Sequence, residues 1–257
     1  MSNQKPLILV TNDDGVTAPG LEQLVKVALE FGEVVVVAPD RPQSGMGHAI
    51  SVGKPLRLDR DRAEREGEWW VCSGTPADCV KLATGVLLKK KPDLVLSGIN
   101  HGGNASISVF YSGTMSAAVE GTIEGVPSIG FSLCNFSWAA DFGDAPAVVR
   151  KVLQNVIENG LGEDITLNVN IPYKPEEGIK GYRITRQAVG RWIEQFDKRI
   201  DPNGRDYYWL TGKFFTEDNG EDNDVIALSE GYVSICPVRI DITGYEALAA
   251  LHRWDWS

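Results

Sequence analysis

The chain has 257 residues, of which 43% are hydrophobic, and this is enough to bury a large core. Its formal net charge of −10 excludes a general nucleic-acid-binding surface, because phosphate backbones are bound by an excess of Lys and Arg. No stretch is long and apolar enough to cross a bilayer, and the four scattered cysteines suit free thiols of a reducing compartment. We therefore expect a cytoplasmic globular protein whose main partner is neither a nucleic-acid polymer nor a membrane.

The first apolar run, Leu7 to Val10, is followed by Asn12, Asp13, Asp14 and Gly15. The branched side chains predict a short buried strand, and the polar run cannot continue it. Ligands of an open parallel sheet lie beyond the carboxyl ends of its strands, where two neighbouring carboxylates form a hard-oxygen site for a divalent cation. An ordinary Asx turn is the alternative, since Asp and Gly are common turn formers.

The next segments predict a β-α-β unit that ends in a second polar loop. Pro19 to Phe31 carries a helical apolar stripe, begins with Pro and stops at Gly32. Val34 to Ala38 is a continuous apolar run, which predicts a strand buried on both faces. Pro39 to His48 is too rich in Pro and Gly for regular structure, and this loop contains Ser44.

A less regular region follows. Ile50 to Leu58 and Trp69 to Cys72 are predicted to be short strands on either side of a charged, solvated turn from Asp59 to Glu68. Thr75 to Leu87 is predicted to be a helix, with Thr as its N-cap and Pro in its first turn.

The third polar loop follows a third buried strand, predicted from Pro92 to Ser97. It reads G-I-N-H-G-G-N from Gly98 to Asn104. Glycines let the backbone approach a ligand closely, and Asn100 and Asn104 offer amide groups without another charge. Three polar loops that each follow a strand of the same kind favour a ligand site over a simple turn at the first of them.

A hydroxyl-rich turn, Tyr111 to Thr114, precedes a predicted helix that continues to Ile123. Free N–H groups and the positive end of the helix dipole make such a turn an anion site. Ser112, Gly113 and Thr114 are therefore a candidate anion site. A plain N-cap is the alternative and is the commoner use of Ser or Thr at this position.

The alternation of strands and helices continues to residue 172. The remaining predicted elements are a strand at Pro127 to Leu133, a helix at Ala145 to Ile157 and a strand at Ile165 to Ile171. This alternation predicts an α/β fold, a Rossmann-like three-layer sandwich with a mostly parallel sheet. We expect residues 1–172 to form the catalytic core.

The sequence changes character after residue 172, where aromatic residues and short alternating runs become frequent. We predict a hairpin-rich C-terminal subdomain over residues 173–257. Glu217 to Asp224 is acidic but lacks the spacing of a calcium loop, so a solvated hairpin loop is expected there. Ile240 to Trp254 is predicted to be a C-terminal helix.

Five motifs occur in a fixed order: V-T-N-D-D-G-V-T-A-P-G, V-V-A-P-D-R-P-Q-S-G-M-G, G-T-P-A-D-C-V, P-D-L-V-L-S-G-I-N-H-G-G-N and Y-S-G-T-M-S-A-A-V-E-G. Later stretches, L-N-V-N-I-P and G-Y-V-S-I-C-P-V, complete the pattern over nearly the whole chain. Together these motifs resemble the SurE family, the survival-protein 5'-nucleotidases. Each motif is moderately specific, and their order is highly specific.

The resemblance implies one divalent metal ion held by four residues: Asp13, Asp14, Ser44 and Asn100. It also implies metal-dependent hydrolysis of nucleoside monophosphates, with activity extending to 3'-nucleotides and polyphosphate. Two carboxylates, a hydroxyl and an amide oxygen are hard donors, which agrees with Mg2+ or Mn2+. On this interpretation Asp13, Asp14 and Asn100 are also the catalytic residues, and Asn104 holds the phosphate opposite the turn at Ser112 to Thr114.

The resemblance further implies a homodimer, or a tetramer, whose subunits exchange the C-terminal segment. Aromatic residues after Tyr173 agree with this, because short strands alone could hardly bury them. A monomer whose hairpins fold back on their own core is the alternative.

Two other functions stay open from the residues alone. A haloacid-dehalogenase-type phosphatase also has an acidic loop after its first strand, but it needs D-x-D, and this chain has Asn12-Asp13-Asp14. A module that binds nucleotides without hydrolysing them would use Gly45 and Gly47 as a phosphate cradle, and a lone G-x-G is weak support for it.

Overall fold

The computed structural model describes residues 5–175 and 177–257. The strands are β1 (Leu7–Thr11), β2 (Glu33–Pro39), β3 (Leu58–Arg60), β4 (Glu68–Cys72), β5 (Leu94–His101), β6 (Ser128–Leu133), β7 (Ile165–Ile171), β8 (Tyr182–Ile184), β9 (Gly190–Ile200), β10 (Asp206–Thr216) and β11 (Val233–Arg239). The helices are α1 (Pro19–Ala28), α2 (Pro76–Leu82), α3 (Gly113–Ile123), α4 (Ala145–Asn159), α5 (Asp224–Ser229) and α6 (Tyr245–Leu251).

Nine strands form one sheet in the order β3-β4-β2-β1-β5-β6-β7-β11-β8. The six strands from β4 to β7 pair in parallel, whereas β3 and β11 each join antiparallel to their neighbour in that group. Helices α1 and α4 pack on one face of the sheet, and α2 and α3 pack on the other. The predicted α/β fold with a mostly parallel sheet is therefore confirmed.

The first strand shows why this sheet forms in the middle of the chain. All five residues of β1 are buried, and they alternate between the two faces. Ile8 and Val10 join the apolar cluster under α1 and α4, while Leu7 and Leu9 join the cluster under α2 and α3. A strand that is apolar on both faces must be covered on both, which places β1 centrally and its acidic end at the centre of one sheet edge.

Several predicted elements before residue 105 have different bounds. The helix predicted from Thr75 to Leu87 is α-helical only to Leu82 and continues as a π-helical turn at Ala83–Leu87. Most of Ile50 to Leu58 is not a strand: only Leu58–Arg60 pairs with β4, and the Ser51 N–H donates to the Asp78 carboxylate instead of to a neighbouring strand. The strand predicted to end at Ser97 continues to His101 as β5, with an irregularity between Ser97 and Asn100. The third polar loop therefore begins inside a strand, which fixes Asn100 more firmly than a loop would.

The C-terminal residues contribute to two sheets. Strands β8 and β11 extend the main sheet, whereas β9 and β10 form a separate antiparallel hairpin. The acidic stretch Glu217 to Asp224 is not a hairpin loop as predicted, because it connects β10 to α5 and its Asn223 caps that helix. The terminal helix is shorter than expected, with α6 covering Tyr245–Leu251. Division of the chain at residue 172 stays a prediction.

The hairpin and α6 are the least covered parts of the fold. Nearly every residue of β9 and β10 is exposed, and α6 buries none of its residues. Across the residues described, no helix combines the length and the apolar character that spanning a membrane requires.

Candidate active site

Side chains from several loops meet in a cavity of about 390 Å3 at the carboxyl ends of β1 and β5. The lining residues include two carboxylates, several hydroxyl and amide groups and four large aromatic residues: Asp13, Asp14, Ser44, Gly45, Asn100, His101, Gly103, Asn104, Ser108, Tyr111, Ser112, Phe136, Trp138 and Trp192. Of the residues predicted to form the site, Asp13, Asp14, Ser44, Asn100, Asn104 and Ser112 line this one cavity. These residues come from four separate stretches of the chain.

Asp13 is a buried carboxylate that the first turn of α3 holds in place. The Thr114 hydroxyl donates to its Oδ1 at 2.6 Å. Burial, reinforced by the adjacent Asp14 carboxylate, raises the pKa of Asp13 to about 6. A buried carboxylate beside a second one is destabilised as an anion, and a bound cation would relieve both causes.

Asp14 is held by His101, a residue to which the sequence interpretation gave no role. The backbone N–H of His101 lies 3.1 Å from Asp14 Oδ2, and its ring Nδ1 lies 2.9 Å from the same oxygen. The opposite ring nitrogen, Nε2, is buried and has no hydrogen-bond partner within the described part of the chain. The only sequence signal for His101 was its position directly after Asn100.

The other two predicted metal ligands line the same cavity, and hydrogen bonds hold the chain near each of them. The Asn100 amide donates to the Gly102 carbonyl at 2.7 Å, which leaves its carbonyl oxygen as an acceptor. The loop that carries Ser44 is tied to the acidic turn, because the Gln43 N–H donates to the Asp13 carbonyl at 2.7 Å. Ser44 itself is exposed at the cavity.

The donor set fits a hard divalent cation. Two carboxylates face the cavity, and no Lys or Arg is among the described residues that line it. Within residues 5–175 and 177–257 there is no cluster of three or more His, Cys, Asp or Glu side chains that could hold a metal. A zinc-type site of His and Cys is therefore a poor match, whereas carboxylate, amide and hydroxyl oxygens match Mg2+ or Mn2+.

The three residues from Ser112 to Thr114 each make a contact that the phosphate prediction does not include. Ser112 is its N-cap and accepts the Met115 N–H at 3.0 Å, while its side chain also lines the cavity. Thr114 is fully buried and directs its hydroxyl to Asp13. Gly113 lies directly against Asp13, since a Cβ at this position would be 2.6 Å from the Cβ of Asp13. Phosphate contacts from Ser112, Gly113 and Thr114 stay predictions.

The backbone of Asn104 is held from both sides by two asparagines of β7. Its N–H donates to Asn170 Oδ1 at 2.7 Å, and its carbonyl accepts from Asn168 Nδ2 at 2.9 Å. Asn170 Nδ2 in turn donates to Asn168 Oδ1 at 2.9 Å. The Asn104 amide donates to Ser132 at 2.7 Å. All these groups are buried, so the network fixes Asn104 at the cavity wall.

The fold and the site together define an α/β protein of the Rossmann-like type, with a paired-carboxylate site at the carboxyl edge of a mostly parallel sheet. Comparison with known proteins narrows this class. The family model described as "Survival protein SurE" matches residues 8–194. The chain belongs to the SurE family.

Individual relatives match over the full length. The chain is 55% identical to a protein of Flavobacterium psychrophilum named 5'-nucleotidase SurE, over 98% of each chain. It is 54% identical to a protein of the same name from Christiangramia forsetii, over 99% of each chain. The crystal structure of the SurE protein from Aquifex aeolicus superposes with a TM-score of 0.81 at 41% identity, covering 96% of this chain and 98% of that one.

Proposed function

We propose that this protein is a metal-dependent 5'-nucleotidase, which hydrolyses nucleoside monophosphates to nucleoside and phosphate. The observation that carries the proposal is the pair of buried carboxylates, Asp13 and Asp14, facing a cavity with no Lys or Arg among its described lining residues. A phosphate ester would be repelled by this pair unless a cation bound first. The names of the relatives, 5'-nucleotidase SurE, supply the substrate class.

The residues proposed to hold the cation are Asp13, Asp14, Ser44 and Asn100. When bound, a divalent cation supplies positive charge for the phosphoryl oxygens and makes water a stronger nucleophile. Thr114 and His101 keep the two carboxylates pointed at the cavity through their hydrogen bonds. Residues that hydrogen-bond to metal ligands usually change the affinity for the metal by about 10- to 100-fold.

The phosphate is proposed to lie between Asn104 and the start of α3. Ser112 reaches the cavity from the N-terminus of that helix, where the positive end of the dipole favours an anion. Asn104 faces it from the opposite loop, with its backbone locked by the asparagine network. We extend the proposal to 3'-nucleotides and polyphosphate as weaker substrates, because these contacts address only the phosphate.

Phosphate release from a panel of nucleotides tests the reaction class. We expect the purified protein to release inorganic phosphate from 5'-monophosphates with Mg2+ or Mn2+ present and to stop when a chelator is added. Nucleotide binding without release would favour the nucleotide-sensing module. A covalent aspartyl-phosphate trapped during turnover would favour the dehalogenase-type reaction, because the proposed mechanism uses water directly and forms no phosphoenzyme.

We also propose that the protein is a homodimer, or a tetramer, that exchanges its C-terminal segment. Support comes from the hairpin, where Phe196 and Leu210 are directly paired across β9 and β10 and are 68% and 66% exposed. The double substitution Phe196→Ser with Leu210→Ser should shift the mass measured by light scattering toward the monomer, because it removes apolar contact area. A wild-type monomer at micromolar concentration would contradict the proposal.

The cellular location is proposed to be cytoplasmic. Cys72, Cys79, Cys134 and Cys236 are all free thiols, as is usual in a reducing compartment. Cell fractionation with an antibody to the protein would test this location.

A further inference from the structure

Four aromatic side chains share the cavity with the carboxylates, and neither the metal nor the phosphate proposal uses them. We infer that this aromatic wall, formed by Tyr111, Phe136, Trp138 and Trp192, binds the base of the nucleotide by stacking and thereby selects nucleoside phosphates over phosphate esters without a base. This inference rests on the proposed phosphatase activity. It adds recognition of the base as the property that decides which phosphate esters are preferred.

The wall is not part of the protein core. Phe136 is 74% exposed, Trp138 57% and Tyr111 54%, although each lines the cavity that holds Asp13 and Asp14. Exposed aromatic surface contributes little to folding, and several such side chains around one polar cavity are typical of a ligand site. The cavity volume of about 390 Å3 lies in the range of about 300–1,000 Å3 found for small-molecule sites.

The wall is built onto the residues that position the carboxylates. The Trp138 ring lies over the His101 ring, with centroids 4.9 Å apart and planes at 35°, and His101 binds Asp14. The Phe136 ring lies against Gly102, where an added Cβ would come within 2.4 Å of its Cε1. Trp138 and Phe136 therefore pack against residues that lie next to the carboxylates.

The fourth residue of the wall, Trp192, lies on β9 of the hairpin. The Trp192 indole N–H donates to the Ser108 hydroxyl at 3.3 Å, which orients its ring at the cavity. A planar base can insert against such faces, because aromatic rings stack with every base. Stacking is therefore an attraction that this side of the cavity offers to a neutral base.

The test compares two phosphate esters that differ in the base. Steady-state kinetics with AMP and with ribose 5-phosphate are measured for the wild type, Trp138→Ala and Trp138→Phe. Trp209→Ala is the matched control, because Trp209 is also 57% exposed but lies on β10 outside the cavity lining. We expect wild-type kcat/KM to be higher for AMP than for ribose 5-phosphate. Trp138→Ala should lower that ratio by about fivefold or more, mainly through KM for AMP, with recovery in Trp138→Phe.

Several outcomes would overturn the inference. Equal wild-type kcat/KM for both esters would show that the base is not recognised, while the phosphatase proposal would stand. Equal losses on both esters in Trp138→Ala would show that Trp138 acts only by supporting His101. If Trp192→Ala turned a dimer into a monomer and left the AMP ratio unchanged, the wall would be a subunit contact.

A binding measurement keeps the two proposals separable. Calorimetric titration of AMP and of ribose 5-phosphate into the wild type and Trp138→Ala requires no turnover. If the wild type released no phosphate from either ester, the proposed function would fail. Tighter binding of AMP than of ribose 5-phosphate, lost in Trp138→Ala, would still support the wall, and equal binding would refute it.

Discussion

Gly113→Ala is the sharpest structural test of the paired-carboxylate site. An Ala Cβ at this position would lie 2.6 Å from Asp13 Cβ, 2.8 Å from Oδ2 and 3.1 Å from Cγ. Asp13 cannot simply swing away, because it is buried and Thr114 holds its Oδ1. The substitution must therefore displace the carboxylate or the first turn of α3.

The magnitude follows from two opposing effects. Overpacking a buried site costs about 1–3 kcal/mol, whereas Ala in a helix gains up to about 1 kcal/mol over Gly. We expect a net loss of about 1–2 kcal/mol in the free energy of unfolding, or a Tm lowered by about 2–8 °C in a protein of this size. Metal affinity and turnover should fall as well, because Asp13 moves.

Denaturant unfolding in the presence of a chelator measures the stability change without a contribution from metal binding. Gly85→Ala is the matched control, since Gly85 lies in the π-helical turn at Ala83–Leu87 and has open space around it. That variant should be as stable as the wild type or more stable by up to about 1 kcal/mol. A Gly113→Ala protein with wild-type stability and full activity would refute the packing argument.

Three further substitutions test other parts of the fold. Asn170→Ala should lower the free energy of unfolding, measured in denaturant, by about 1–3 kcal/mol, because it leaves the Asn104 N–H buried without its acceptor. It should also raise KM for AMP. An unchanged KM would show that Asn104 does not contribute to substrate binding. Thr75→Ala removes the N-cap of α2 and should cost about 1 kcal/mol in the same assay, and no loss would contradict the capping role. Asp218→Asn should lower Tm at pH 7, because the hydrogen bonds from Arg186 hold the pKa of the Asp218 carboxyl well below its usual value of 3.8. That stabilisation is present above the unfolded-state pKa and is lost as pH falls toward the folded-state pKa, so the Tm difference should shrink below pH 4; a difference independent of pH would contradict the assignment.

The central sheet could be predicted from sequence because its strands are apolar on both faces. Runs such as Leu7 to Val10 and Val34 to Ala38 have no polar face to place in water, so burial between two helical layers was the only consistent arrangement. The polar residues after them then had to lie at one sheet edge. For this reason the sequence alone places Asp13, Asp14 and Asn100 at the same edge of the sheet.

Two errors in the predicted strands arose where backbone groups bond to partners that are distant in sequence. Ile50 to Leu58 has the composition of a strand, but the Ser51 N–H bonds to Asp78, a long-range contact that no local pattern contains. The extension of β5 to His101 was missed because Gly98 usually signals a loop. Both errors concern backbone partners that are distant in sequence.

The partners of the carboxylates were equally hidden. Thr114 is predicted to contact phosphate from its place at a helix start, and the structure adds that its hydroxyl lies 2.6 Å from Asp13 Oδ1. His101 and Trp138 received no role, since a single His and a single Trp in loops carry no motif of their own. Their importance follows from the contact between their rings and from the bond to Asp14, which only the tertiary structure provides.

The most direct measurement is phosphate release from AMP by metal-stripped enzyme as free Mn2+ is added back. The account predicts a saturable rise for the wild type and for Asp40→Ala, in which an exposed carboxylate outside the cavity lining is removed. It predicts that Asp14→Ala, folded as judged by circular dichroism, loses activity by more than roughly 100-fold. That factor is the loss expected when the replaced residue only hydrogen-bonds to a metal ligand. Wild-type release that is unaffected by a chelator, or near-normal activity of Asp14→Ala at limiting Mn2+, would contradict the central claim.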